Sequence, residues 1–259
     1  MKKLGFGMMR LPLLNEEDKK SIDKKTVCQM VDTFMERGFT YFDTAYMYHE
    51  YESERAVKDV LVTRKDRDSY TLASKLPVMQ LKEKEDMERI FNEQREKCGV
   101  EYFDYYLLHA LDAEHYKTVK RLDCFGFAMQ KKAEGKVKHV GFSFHDSAEV
   151  LDQILTEHPE AEFVQLQLNY LDWEDAKVQS RKCYETAVKH GKKVVVMEPV
   201  KGGTLAKLPK KAEDVLKALH PDWSAASWAI RFVASLENVM VVLSGMSTPE
   251  QMDDNTAYM

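Results

Sequence analysis

The sequence predicts an α/β fold, a single-domain (β/α)8 TIM barrel. Three observations carry this reading. Apolar strand-like runs alternate with helical stretches along the whole chain. Glycine closes a helical stretch just before a strand at Gly38, Gly99, Gly135 and Gly191, where it relieves the left-handed conformation that ends a helix. The length of 259 residues suits one such barrel, which needs about 250. The dinucleotide fingerprint GxGxxG of the open doubly wound sheet is absent, and GFGMMR (5–10) fails its spacing.

Eight strands are expected, at 4–10, 39–44, 69–75, 103–109, 138–144, 162–168, 192–199 and 238–245. Helical stretches are expected between them near 26–37, 50–62, 83–98, 118–134, 147–157, 174–190 and 222–236. In the first, Val27, Met30, Val31, Phe34 and Met35 fall on one face at helical spacing. The segment 201–221 is the loosest and reads as a long loop with a short helix. No linker divides the chain, so one unit spans 1–259. A last helix starts well, with Ser247 and Thr248 before Pro249, and stops uncapped at Met259. This predicts a C-terminal end that is truncated, with apolar surface left bare and a mobile tail.

Composition narrows the function. A formal net charge of −5 argues against nucleic acid as the main partner. No apolar run approaches the roughly 20 residues of a membrane span, and the N-terminus lacks a signal-peptide core. Cys28, Cys98, Cys124 and Cys183 are scattered without a CxxC pair, as in a reduced, cytoplasmic protein. The oligomeric state stays open.

The chemistry lies where apolar runs end. Asp43 ends FTYFD, Lys75 ends SYTLASK and His109 ends YFDYYLLH, while Tyr48 lies five residues beyond Asp43. In a parallel barrel the carboxyl ends of the strands meet at one mouth. An acid, a lysine, a histidine and a tyrosine there make a proton-donating site. A free tyrosine titrates near 10 and is a poor acid at neutral pH; a lysine beside it favours the phenolate and should lower that value. Each residue alone has a structural reading: Asp43 as a cap, Lys75 as a solvated strand end, His109 as a rim histidine, and Tyr48 as packing beside Tyr46 and Tyr51. A metal-dependent hydrolase using Asp43, His109 and His145 lacks an HxH or paired-acid motif, so no metal is expected.

Seven segments resemble the aldo-keto reductases: 38–61, LASKLP (72–77), YFDYYLLHA (102–110), GKVKHVGFSFHD (135–146), FVQLQLNYLDW (163–173), VVVMEPVKGG (194–203) and LSGMSTPEQMDDN (243–255). The resemblance covers almost the whole chain in the right order. It implies NAD(P)H-dependent reduction of a small-molecule aldehyde or ketone to an alcohol, with Tyr48 as acid, Lys75 and Asp43 tuning it, and His109 placing the carbonyl. Ser143 and Gln165 would hold the nicotinamide carboxamide, with Gln167 as the alternative because it shares the strand face. Phe144 stands where the family has Asn, so His145 or Asn169 would have to substitute. Met197 would pack on the ring in place of the family's tyrosine.

Phosphates need backbone N–H groups and a helix start; Gly245, Met246, Ser247 and Thr248 supply these, and Gly202 with Gly203 is a second candidate. A 2′-phosphate favours Arg or Lys, but the final segment offers Gln251 and Asn255. NADP is the family default and NAD remains open. Trp173, Tyr170, Met8 and Met9 are candidates for lining the substrate pocket. The closest-looking subgroup often adds a ferredoxin-like extension with iron–sulfur clusters; none of it is in this sequence, and no cluster is expected. The alternative function is a non-catalytic nucleotide-binding barrel acting as sensor or partner subunit.

Overall fold

Each apolar run becomes a strand, and the strands pair in parallel in sequence order, with the last closing on the first, in a computed structural model that describes residues 2–259. They are β1 Leu4–Gly7, β2 Tyr41–Asp43, β3 Thr71–Leu76, β4 Phe103–Leu111, β5 Val137–Phe144, β6 Phe163–Gln167, β7 Lys193–Met197 and β8 Val239–Ser244. The helices are α1 Lys24–Glu36, α2 Ser53–Val57, α3 Glu85–Cys98, α4 Ala113–Leu122, α5 Cys124–Ala133, α6 Ala148–Glu157, α7 Ser180–Lys189, α8 Lys210–Leu219, α9 Ala225–Ala234 and α10 Pro249–Ala257. The fold is the (β/α)8 barrel that the alternation implied. Among the described residues no helix is long and apolar enough to cross a membrane.

Strand alternation sends every second side chain into the barrel. Tyr41, Ala73, Leu107, Phe163, Val195, Val241 and Leu243 fill the interior. Gly5 makes room for them, because a Cβ there would stand 2.7 Å from Val241 Cγ1. Two residues further along the same strands come Asp43, Lys75, Gln165 and Met197, facing the same way at the carboxyl end. The intervening residues face outward into the layer beneath the helices, where Phe6, Phe34, Phe42, Phe91 and Phe142 are buried.

Several element boundaries differ from the sequence expectation. The stretch 118–134 is two helices. Asp123 breaks it in the left-handed conformation, φ 59°, ending α4 and accepting from Gly126 N at the start of α5. The expected helix 50–62 begins only at Ser53, because His49, Glu50 and Tyr51 take positive φ, and its last turn is a π-helix over Lys58–Val62. The stretch 174–190 becomes helical only after Gln179, itself left-handed. Residues 201–221 contain a 3-10 segment, Lys201–Ala206, and α8.

α10 starts as its sequence suggests: Thr248 caps it, accepting from Gln251 N, and Pro249 is its first residue. Its last turns are fastened to their neighbours. Arg37 donates to Asp253 Oδ1 at 2.6 Å and to Thr256 Oγ1. Ser224 Oγ donates to Asp254 Oδ2 at 2.7 Å, and the Arg231 guanidinium lies 4.9 Å from the Tyr258 ring. Met252, Asn255 and Thr256 are buried.

Candidate active site

The carboxyl mouth gathers the four residues that the strand ends nominated. Lys75 Nζ lies 2.5 Å from Asp43 Oδ1 and donates to Thr44 O at 2.7 Å. Both side chains are buried. Two of the three ammonium N–H groups are thereby occupied, and Nζ sits 4.8 Å from the centroid of the Tyr48 ring. The Tyr48 and His109 rings meet edge to face at 5.9 Å. A second buried network backs this arrangement: Gln94 donates to Lys75 O, Glu54 Oε1 and Ser74 Oγ, and Tyr106 OH donates to Gln94.

The electrostatics correct one expectation. Lys75 does pull the Tyr48 pKa down, but burial outweighs it and the phenol stays above its ordinary value. Burial also works against the Lys75 cation, yet Asp43 and Tyr48 together hold its pKa above the ordinary lysine value. His109 is pushed down to about 3, first by burial and then by the Lys75 charge. It is therefore neutral at physiological pH and can offer a ring N–H without carrying charge. Its Nδ1 is buried without a partner.

The three neighbouring tyrosines differ in their surroundings. Tyr46 faces away from the mouth and donates to Glu93 at 2.9 Å, with Lys97 over its ring. Tyr51 packs on Tyr46 and accepts from Gln80. Tyr48 is the one beside Lys75 and His109.

The residues expected to hold nicotinamide line the adjoining arc. Ser143 pairs in register with Gln165 on the next strand, and Gln165 Nε2 approaches Met197 Sδ at 3.7 Å. Gln165 Oε1 is buried and has no hydrogen-bond partner among the described residues. Gln167 instead donates to Asp172 at 2.9 Å, which separates the two glutamines that spacing left equivalent. Asn169 is likewise spent, on Asp172 and Glu198 O. Phe144 turns outward and packs on Phe142, while the His145 ring is exposed at the rim.

Of the phosphate candidates, Gly245 and Gly202 are exposed at the rim, whereas the Met246 side chain is buried, leaving its backbone as the usable part. Thr248 is committed as the cap of α10. Ser247 N donates to Gln251 Oε1 at 2.8 Å, so Gln251 closes its own helix start. Asn255 bridges Ser244 and Tyr258 with both ends of its amide. Of the proposed pocket residues, Met8 is buried and Tyr170 and Trp173 pack on Phe232; Met9 is exposed. Among the described residues no group of His, Cys, Asp and Glu is arranged to hold a metal.

Two features were not read from the sequence. Arg10 lies along Gly245, where a Cβ would stand 3.2 Å from its Cδ, and its guanidinium reaches Glu198 at 3.9 Å and the Gly202 loop. It thus joins both glycine segments; a cation at the end of an apolar strand run was the available signal. Ala110 has φ 56° at a register shift in β4, held by Ser143 Oγ at its N–H and by His115 Nδ1 at its carbonyl. Nothing in the sequence marks that kink, which carries His109 at its edge.

A closed parallel barrel with a buried Lys–Asp pair, a tyrosine and a neutral histidine at its carboxyl mouth defines a barrel equipped for proton transfer. Residues 3–259 match the aldo/keto reductase family profile, and the chain belongs to that family. Solved structures with the same fold include a thermostable aldo-keto reductase in complex with epalrestat, at 16% identity over 100% of this chain and 90% of that one, TM-score 0.76. An aldo-keto reductase from Klebsiella pneumoniae in complex with NADPH matches at 18% identity over 99% and 85% of the two chains, TM-score 0.75. The holo form of one from Bacillus halodurans matches at 21% over 98% and 85%, TM-score 0.71. No curated protein sequence matches the chain.

Proposed function

We propose that this chain is an NADP(H)-dependent reductase of aldehydes or ketones, with Tyr48 as proton donor. The observation that carries this is the convergence of Tyr48, Lys75 and His109 on one mouth, with Asp43 pairing Lys75 at 2.5 Å. The cofactor fits the residues present. The orphaned Gln165 Oε1 can accept from the carboxamide, and Ser143, whose Oγ already accepts from Ala110 N, retains its hydroxyl proton to donate. Met197 offers a polarizable sulfur beside Gln165. Gly202, Gly245 and the backbone of Met246 to Thr248 lie toward α10, with Arg10 between the two glycine segments as the nearby cation. A bound nicotinamide nucleotide supplies the hydride.

The protein's own part is proton delivery and positioning. Tyr48, kept protonated by burial, gives its proton to the carbonyl oxygen. Lys75 stabilises the phenolate left behind, and Asp43 keeps that lysine charged and in place. Neutral His109 donates a hydrogen bond to the carbonyl oxygen and orients it. NADP is read from the family and from the neighbours' cofactors; neither Gln251 nor Asn255 supplies a cation for a 2′-phosphate, so NAD is the competing nucleotide. The other reading, a nucleotide-binding barrel without turnover, is favoured only by Phe144 and Met197 at nicotinamide positions. Fluorescence titration with NADPH and NADH, followed by oxidation of the bound nucleotide with a panel of aldehydes and ketones, tests both. Tight binding with no turnover favours the sensor; no binding removes both readings.

A further inference from the structure

We propose that His49 is a positioning residue for Tyr48, its imidazole strapping the loop after β1 to the left-handed turn that follows the tyrosine. The inference rests on the reading of Tyr48 as proton donor. His49, Glu50 and Tyr51 have φ of 50°, 51° and 75°. Side-chain-bearing residues visit that region as single residues rather than in succession, so three in a row require restraint from outside the turn.

The restraint is visible on both nitrogens of the ring. Nδ1 lies 2.9 Å from Lys19 O, and Leu11 N donates to Nε2 at 3.1 Å. A carbonyl only accepts and an amide N–H only donates, so the ring carries its proton on Nδ1 and is bare at Nε2. Burial holds its pKa below the ordinary histidine value, in keeping with that neutral form. A second tie runs beside it: Ser53 Oγ donates to Met8 O at 3.1 Å and accepts from Thr44 Oγ1 at 2.9 Å. The turn itself closes through Glu52 N to His49 O and Ser53 N to Tyr48 O. Lys75 is the one side chain that acts on the Tyr48 hydroxyl by hydrogen bonding, and the backbone of the turn sets where the Tyr48 ring emerges.

Two variants and two readouts test this. Glutamine offers one donor and one acceptor at a spacing close to that of the ring nitrogens; alanine offers neither. In His49→Ala, kcat for carbonyl reduction should fall by roughly tenfold to a hundredfold, the scale of a small misplacement of a reacting group, while the NADPH dissociation constant changes little. His49→Gln should recover most of the rate. Amide hydrogen exchange over residues 8–21 and 46–53 should quicken in His49→Ala and not in His49→Gln, and this needs no turnover. Unchanged exchange in His49→Ala overturns the strap. Faster exchange with wild-type kcat overturns the positioning role, as does equal loss of kcat in both variants. A wild-type protein that reduces no carbonyl removes the reductase reading instead, and the strap then stands or falls on exchange alone.

Discussion

At the scale of single residues, the site balances burial against charge. Tyr48 is pushed up by burial and pulled down by Lys75, and burial prevails. The phenol is therefore protonated rather than a phenolate at neutral pH. Tyr48→Phe should lower turnover by about two orders of magnitude or more, the size of a lost general acid, with nucleotide affinity nearly intact. Tyr46→Phe, which only frees Glu93, should leave turnover close to wild type. Lys75→Met should be costly for folding as well as for chemistry. It strands the buried Asp43, whose Oδ2 already lacks a partner, and breaking a buried pair this way costs about 3–5 kcal/mol. Urea midpoints measure it, and adding Asp43→Asn to Lys75→Met should restore part of the loss. The placement of Asp43, Lys75 and His109 at the barrel mouth was legible because an ionisable residue ending an apolar strand is conspicuous. The choice between Tyr46 and Tyr48 rested on the family spacing alone, because their positions depend on a turn of unusual backbone conformation.

At the scale of elements, the strands were legible and the helix limits were less so. Strands announce themselves by β-branched and aromatic runs bounded by polar residues, and all eight formed. The helix expected over 118–134 split because Asp123 adopts a left-handed conformation that its neighbours do not signal, and the same holds at His49–Tyr51 and Gln179. Gln165 and Gln167 share one strand face, and only the loop carrying Asp172 shows that Gln167 is spent. Gln165→Ala should therefore weaken nucleotide binding while Gln167→Ala acts mainly through the loop; parallel titrations with NADPH check this. The fastening of α10 is likewise a tertiary matter. Arg37→Ala should speed amide exchange across 249–259, because Arg37 ties Asp253 and Thr256 to the end of α1.

At the scale of the whole molecule, a half-buried neutral histidine links stability to pH. His109 has a folded pKa of about 3, against about 6.5 for an unfolded histidine. Between those values the unfolded chain holds a proton that the folded chain refuses, so stability rises with pH across the window and falls as acid is added from 6.5 towards 3. The contribution is a few kcal/mol at most for a ring at a solvent-facing mouth. Urea midpoints followed downward from neutral pH should show that decline, and His109→Gln should remove this part of the slope. The barrel as a whole was legible in its eightfold alternation and its length; the preferred nucleotide was not, because Gln251 closes its own helix start and Asn255 ties that helix to Ser244 of β8. The proposed proton donor in carbonyl reduction is the mouth built by Asp43, Tyr48, Lys75 and His109. The most direct measurement follows NADPH absorbance with an aldehyde substrate in wild-type protein and in Tyr48→Phe, with NADPH affinity determined for both. Turnover is expected in the wild type, near-complete loss in the variant, and equal affinity in both. A Tyr48→Phe protein that reduces the aldehyde at the wild-type rate would contradict this.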